Sequence, residues 1–194
     1  MDATSLLLIA AGYGLGSIPF GVLLTQWKGL DVRAQGSGNI GATNVARVAG
    51  KKLGVAVLAL DAGKGALAVW LAQRVAPDAA WLHAEVGLAA FAGHVLPVWL
   101  KFRGGKGVAT ALGVLGVLVP WAALAGFVTY AAVFAAFRIS SVGSLLGAGV
   151  ALATAFSMGG AGAYSLLTAL LFVLMLVTHR SNIGRILKRA EKGL

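Results

Sequence analysis

Residues 107–137 and 139–178 contain no Asp, Glu, Lys or Arg, and Arg138 alone separates them. A helix crosses the hydrocarbon core of a bilayer with about 20 apolar residues, so these two stretches already commit the chain to lipid. Of its 194 residues 59% are hydrophobic and 11% charged, against about 25% charged in a soluble domain. The fold class expected is all-α: a polytopic membrane helix bundle forming one domain over residues 1–194. The first apolar stretch follows Asp2 and no basic residue. It lacks the basic leader of a cleaved signal and is expected to remain as a span. The chain has no cysteine, which excludes a disulfide framework and a thiolate metal site.

Uncharged residues 3–27 predict the first span. Residues 53–73 predict the second, with Asp61 and Lys64 inside it, and residues 79–100 the third, with Glu85 and His94 inside it. As one helix, residues 107–137 would run about 46 Å, long for one span and short for two. Pro120 lies near the middle, where proline suits the first turn of a new helix. Residues 139–178 divide at Ser157-Met158-Gly159-Gly160-Ala161-Gly162. Taking 107–137 as a hairpin gives seven transmembrane helices. It then places fourteen of the sixteen Lys and Arg on one side, Lys192 among them, with Arg74 opposite and Lys64 within a span. The positive-inside rule makes that side cytoplasmic, with the N-terminus outside and the C-terminus in the cytoplasm. The net charge of +10 is thereby assigned to cytoplasmic loops. A nucleic-acid partner is not expected, because no soluble basic module exists to bind one. Glycines four apart, Gly12/Gly16 and Gly143/Gly147, predict close helix contacts.

Three clusters on the cytoplasmic side combine glycine, amide and basic residues: Gly36–Asn44 with Arg47, Phe102–Gly107, and His179–Arg185. In the first, glycines open backbone conformations in which successive N–H groups form an anion nest, and Ser37, Asn39, Thr43 and Asn44 add neutral donors. The second, Gly104-Gly105-Lys106-Gly107, opens a span whose helix N-terminus suits phosphate. It is not a Walker A loop: Leu100 stands where a glycine is required, and Gly107 where Ser or Thr is required. In the third, His179 and Asn182 share a helical face at spacing three. Asp61 and Lys64, also three apart, read equally as a functional pair or as an ion pair facing the bundle. His94, with Pro97 after it, reads first as helix packing with a satisfied imidazole, and second as a residue that supports the site from behind. No His/Asp/Glu set has metal-ligand spacing, and no His-x-x-x-x-Asp pair is present.

Ser17-Ile18-Pro19-Phe20-Gly21, Gly36–Asn44, Asp61-Ala62-Gly63-Lys64-Gly65, the run from Gly93-His94 to Thr110 and His179-Arg180-x-Asn182-Ile183 occur in an order and spacing that resemble the bacterial acyl-phosphate:glycerol-3-phosphate acyltransferases. The resemblance covers nearly the whole chain. It implies transfer of an acyl group from acyl phosphate to the 1-hydroxyl of glycerol 3-phosphate. The products are 1-acylglycerol 3-phosphate (lysophosphatidate) and phosphate, the first acylation of phospholipid synthesis. It also implies a multi-pass protein of the bacterial cytoplasmic membrane, in contact with its lipids, acting as a monomer with its active site on the cytoplasmic face and without cofactor or metal. By position, Ser37, Gly38, Asn39, Gly41, Ala42, Thr43 and Asn44 would cradle phosphate. Arg47, Lys106, His179 and Asn182 would hold glycerol 3-phosphate and the reacting centre, and Gly104, Gly105 and Gly107 would let main chain approach it. Arg189-Ala190-Glu191 departs from the family's common Gly-Thr-Glu, so the three clusters alone are the expected site. The rival reading is a transporter of a phosphorylated anion. The clusters' placement on one face, rather than at the midplane, argues against it.

Overall fold

The computed structural model describes every residue except Lys192 and Leu194, which lie outside the described residues. Among the described residues the regular structure is ten α-helices and one short 3₁₀ turn, with no strand. The chain divides into two compact units, Met1–Val114 and Leu115–Leu194.

The first unit holds α1 (Ala3–Gly16), α2 (Phe20–Gln26), α3 (Ala42–Ala49), α4 (Lys51–Val75), α5 (Ala80–Val95) and the start of α6 (Val108–Leu118). Asp2 caps α1 by accepting the Ser5 N–H at 2.8 Å. The first predicted span is one helix only in outline, because Pro19 offers no N–H and breaks it into α1 and α2. Small residues bring the backbones together: a Cβ on Gly16 would stand 2.0 Å from the Ala90 carbonyl oxygen, and one on Gly12 would stand 3.0 Å from that of Val86. Contacts of this kind replace the hydrophobic drive that lipid removes. Under α2 and α3 lies an apolar core of Val22, Val32, Ile40, Val45 and Val57, with Leu100 packed against it.

The second unit holds α7 (Pro120–Phe137), α8 (Ser140–Gly159), α9 (Ala163–Thr178) and α10 (Arg180–Leu187). Pro120 begins α7, as its position predicted. The break in 139–178 falls at Gly160, within the predicted glycine-rich segment. Gly143 and Gly147 form the close contact expected of them, against Tyr130 and Gly126 of α7.

Among the described residues four helices are able by length and composition to cross a membrane: Ala3–Gln26 taken through its break, Lys51–Val75, Pro120–Phe137 and Ser140–Gly159. A fifth results if Ala163–Thr178 and Arg180–Leu187, bent by 62° from each other, count as one span. The seven expected spans are not reached on this measure. The helices α5 and α6 have 16 and 11 residues, less than the about 20 that a perpendicular crossing takes.

Candidate active site

Asn44 organises the first cluster. It sits in the first turn of α3, 1% exposed. Its Oδ1 accepts the Ser37 N–H at 2.8 Å and an Arg47 guanidinium N–H at 3.4 Å. Its Nδ2 donates to the carbonyls of Val32, Gln35 and Asn39 at 3.1, 3.0 and 2.9 Å. One buried amide thus fixes the loop at four places along its length. Gly36 adopts φ +61°, and a Cβ there would lie 2.2 Å from Asn44 Oδ1, so both backbone shape and space require glycine.

Three of the loop's N–H groups are spent on the protein itself. Ser37 N–H goes to Asn44, Gly38 N–H to the Gln35 carbonyl at 3.0 Å, and Gly41 N–H to Asn39 Oδ1 at 2.8 Å. Those three donors are turned inward, and the loop leads into the N-terminus of α3. Gly41 occupies the cap position there and no side chain caps the helix. The first turn of α3, Ala42 to Asn44, therefore carries the partial positive charge of a helix start, and exposed Arg47 follows one turn later.

The second cluster is built similarly. Gly104 N–H donates to the Val95 carbonyl at 3.0 Å and Gly105 N–H to that of His94 at 3.1 Å. Gly105 and Gly107 are buried and Lys106 is half-buried beside the start of α6. Leu100, four residues before Gly104, packs on the same apolar core that underlies α3. The first two clusters therefore rest on one core within the first unit.

The third cluster belongs to the second unit. His179, 1% exposed, marks the break between α9 and α10. The Met175 carbonyl accepts both the His179 backbone N–H at 3.0 Å and the ring Nδ1 at 2.9 Å. A carbonyl only accepts, so Nδ1 carries the proton, and in the neutral ring Nε2 holds the lone pair. Asn182, on the first turn of α10, donates from Nδ2 to Glu191 Oε1 at 2.5 Å. Ser141 Oγ donates to the same oxygen at 2.9 Å, and Arg185 Nε to Oε2 at 2.5 Å.

Residues 6–189 match the family described as glycerol-3-phosphate acyltransferase. The chain is 62% identical over 186 residues to the glycerol-3-phosphate acyltransferase of Myxococcus xanthus (strain DK1622), covering 95% of this chain and 97% of that one. It is 54% identical to that of Anaeromyxobacter sp. (strain Fw109-5), covering 97% and 96%. Among solved structures it is similar to PlsY (YgiH), an integral membrane glycerol 3-phosphate acyltransferase, in its glycerol 3-phosphate form. That likeness has a TM-score of 0.95 at 38% identity, over 99% of this chain and 96% of the other. This chain belongs to the glycerol-3-phosphate acyltransferase family. The lysophosphatidic acid form of PlsY superposes with a TM-score of 0.93.

In this acyltransferase Glu191, which lies in the tail that departs from the family pattern, is bonded to the third cluster. The signal was present: Glu191 is the one acidic residue after Glu85, set among the basic residues of the tail. Its partial burial raises its pKa, but the hydrogen bonds from Arg185, Asn182 and Ser141 outweigh that and hold the carboxyl below the ordinary glutamate range. A lowered folded-state pKa stabilises above the unfolded value and loses that contribution as pH falls through the folded one. The lock on Asn182 and Arg185 is thus intact above about pH 4.3, the ordinary glutamate value, and opens at still lower pH. Hydrogen exchange over residues 180–191, corrected for intrinsic rate, should accelerate only in that acid range. Glu191→Gln should exchange fast at every pH. A variant as protected as wild type would remove Glu191 from this role.

Proposed function

We propose that this acyltransferase takes its acyl group from acyl phosphate and places it on the 1-hydroxyl of glycerol 3-phosphate, yielding 1-acylglycerol 3-phosphate and inorganic phosphate. The observation that carries the reading is the whole-length likeness to an integral membrane acyltransferase in its glycerol 3-phosphate form. The residues supply what two phosphorylated substrates need. The first turn of α3 and Arg47 attract one anion, and Lys106 at the start of α6 attracts another. His179 and Asn182 bind the hydroxyl-bearing end of glycerol 3-phosphate.

The donor is already activated, since phosphate is a good leaving group. No covalent enzyme intermediate, cofactor or metal is required. The 1-hydroxyl oxygen attacks the acyl carbonyl carbon, a non-bridging oxygen of the donor's phosphate takes the hydroxyl proton, and the tetrahedral adduct collapses with loss of hydrogen phosphate. Atoms and charge balance without an external base. Alignment of the two substrates supplies about 7–11 kcal/mol of the barrier reduction. Donors aimed at the carbonyl oxygen supply about 3 kcal/mol more. The cytoplasmic clusters offer cations, amides and glycines but few carboxylates, which favours this substrate-assisted route over a protein base.

The acyl chain approaches from the bilayer between helices lined by small residues. The protein works as a single domain and a monomer in the bacterial cytoplasmic membrane, with seven spans, its N-terminus outside, and its active site and C-terminus in the cytoplasm. A reporter fused after residue 194 should be active only if its fluorophore or enzyme matures in the cytoplasm. An extracytoplasmic reporter would contradict this topology.

Transfer and transport are separated in detergent, where no sealed compartment exists. Purified protein given acyl phosphate and labelled glycerol 3-phosphate should move the label into an organic-extractable lipid. Label that stays water-soluble, but accumulates unchanged in sealed proteoliposomes, would establish the transporter reading instead.

A further inference from the structure

Asp61, Lys64 and His94 form a buried cluster inside the first unit, and none of the three is among the residues assigned to substrate. Asp61 and Lys64 of α4 are 2% and 4% exposed, and His94 of α5 is 3% exposed. Lys64 Nζ stands 2.8 Å from Asp61 Oδ1 and donates to the Ile18 carbonyl at 2.7 Å. His94 Nδ1 faces the same Oδ1 at 3.6 Å, an electrostatic contact too long for a hydrogen bond. The imidazole is thus not the satisfied one expected from sequence. A buried ion pair seldom stabilises a protein more than apolar residues of the same volume, so its presence calls for a role beyond holding helices together.

The two ends of this charged group lead to the two loops of the first unit. At one end Lys64 grips the turn between α1 and α2, through the Ile18 carbonyl and over the Phe20 ring at 5.7 Å. Gly21, next in sequence, abuts the first loop: a Cβ there would lie 1.8 Å from the Ile40 carbonyl oxygen. At the other end the His94 ring supports the second loop. A Cβ on Gly105 would lie 2.2 Å from His94 Nε2, and the His94 carbonyl accepts the Gly105 N–H. The corner between them is pinned to α1 by Tyr13 Oη donating to the Leu96 carbonyl at 2.7 Å and by Trp99 Nε1 donating to Ser17 Oγ at 3.0 Å.

We propose that Asp61, Lys64 and His94 are positioning residues that set the seat of the Gly104–Gly107 loop relative to the first loop, and so set the enzyme's affinity for glycerol 3-phosphate. This rests on the reading that Lys106 and its loop bind substrate phosphate. The His94 ring is the part that touches the loop, and the Asp61 carboxylate, paired with Lys64, faces the ring's other edge. None of the three contacts the reacting atoms, so their effect falls on KM before kcat.

The test is a set of detergent-purified variants, each checked for monodisperse elution and melting temperature, with KM and kcat measured separately. His94→Ala should raise the KM for glycerol 3-phosphate about tenfold, the size of one lost contact of about 1.4 kcal/mol, with kcat within about threefold. His94→Gln, whose amide reaches the Nε2 position under Gly105, should recover most of that KM, whereas the shorter His94→Asn should not. Gly105→Ala should raise KM by pushing on the same ring. Combined with His94→Ala it should do no further harm, because one contact is lost once. If His94→Ala folds with a normal KM, or the Gly105 and His94 effects multiply, the positioning role is wrong. Lys106→Ala separates this failure from that of the site itself. A raised KM and lowered turnover in Lys106→Ala beside a normal His94→Ala would sink the positioning role alone. Normal kinetics in Lys106→Ala would sink the loop's substrate role and the positioning role with it.

Discussion

Asn44→Ala should lower kcat/KM by about 100-fold or more while leaving the protein folded and membrane-inserted. The reason is local. The Asn44 amide is bonded to the Ser37 N–H and to the carbonyls of Val32, Gln35 and Asn39. Removing it strands those groups, each at about 1–3 kcal/mol if it stays buried. The loop has an escape that the membrane helices lack, since Arg33 to Gly38 are exposed. It will relax toward water rather than unfold the bundle. The damage then appears as lost preorganisation around the start of α3. Asn44→Asp separates shape from chemistry. It keeps an oxygen for the Ser37 N–H, but it turns a second oxygen toward three carbonyls and adds negative charge at the helix start where we propose that an anion binds. It should be at least as impaired as the alanine variant. Steady-state kinetics at varied glycerol 3-phosphate, with elution profiles as the fold control, decide it. Near-normal kcat/KM in Asn44→Ala would mean that the loop's shape does not matter to turnover.

His179→Ala carries the second large effect, and its form separates two mechanisms. The ring donates from Nδ1 to the Met175 carbonyl, and under the proposed reading its other nitrogen, Nε2, is the one that holds the substrate hydroxyl. If His179 only holds that hydroxyl, its loss removes one hydrogen bond and weakens glycerol 3-phosphate binding. Single-turnover chemistry at saturating substrate then persists at a reduced rate, because the donor's phosphate still takes the proton. If His179 is the base, the chemical step falls by about 10²–10⁴-fold while binding persists. Substrate assistance predicts the first result, and rapid quench with a parallel binding measurement distinguishes them.

Much of the fold was legible because lipid imposes hard limits on sequence. Uncharged stretches marked helices, Pro120 marked the start of α7, and Gly160 fell within the break that the glycine-rich segment predicted. Pro19 was the exception. It sits in an unbroken apolar stretch, and nothing in hydropathy separates a kinked span from two helices meeting at an angle. Helix lengths were less legible than helix positions, because α5 gives way to an irregular corner carrying apolar residues such as Leu96 and Trp99. Within the candidate site, the residue types were readable and their division of labour was not. Asn44 looked like one more phosphate donor among several. Its spacing of seven residues from Ser37 and twelve from Val32 gave no hint that a single amide closes the loop. Glu191 was hard to read as a partner of the third cluster because Arg189 and Ala190 before it depart from the family pattern, although a lone carboxylate among cations is itself a signal. For His94 the sequence left packing and support of the site side by side, because its partners, Asp61 and Gly105, come from segments that only the fold brings to it.

The choice of acyl phosphate as donor is the central claim, and ³¹P NMR of the purified protein tests it most directly. The donor, inorganic phosphate and lysophosphatidate give separate signals that are followed together in one tube. One inorganic phosphate should appear for each lysophosphatidate formed, both matching the loss of acyl phosphate, with no metal added and with acyl thioesters unable to replace the donor. Lysophosphatidate formed from a thioester at a comparable rate, or without phosphate release, would contradict the account.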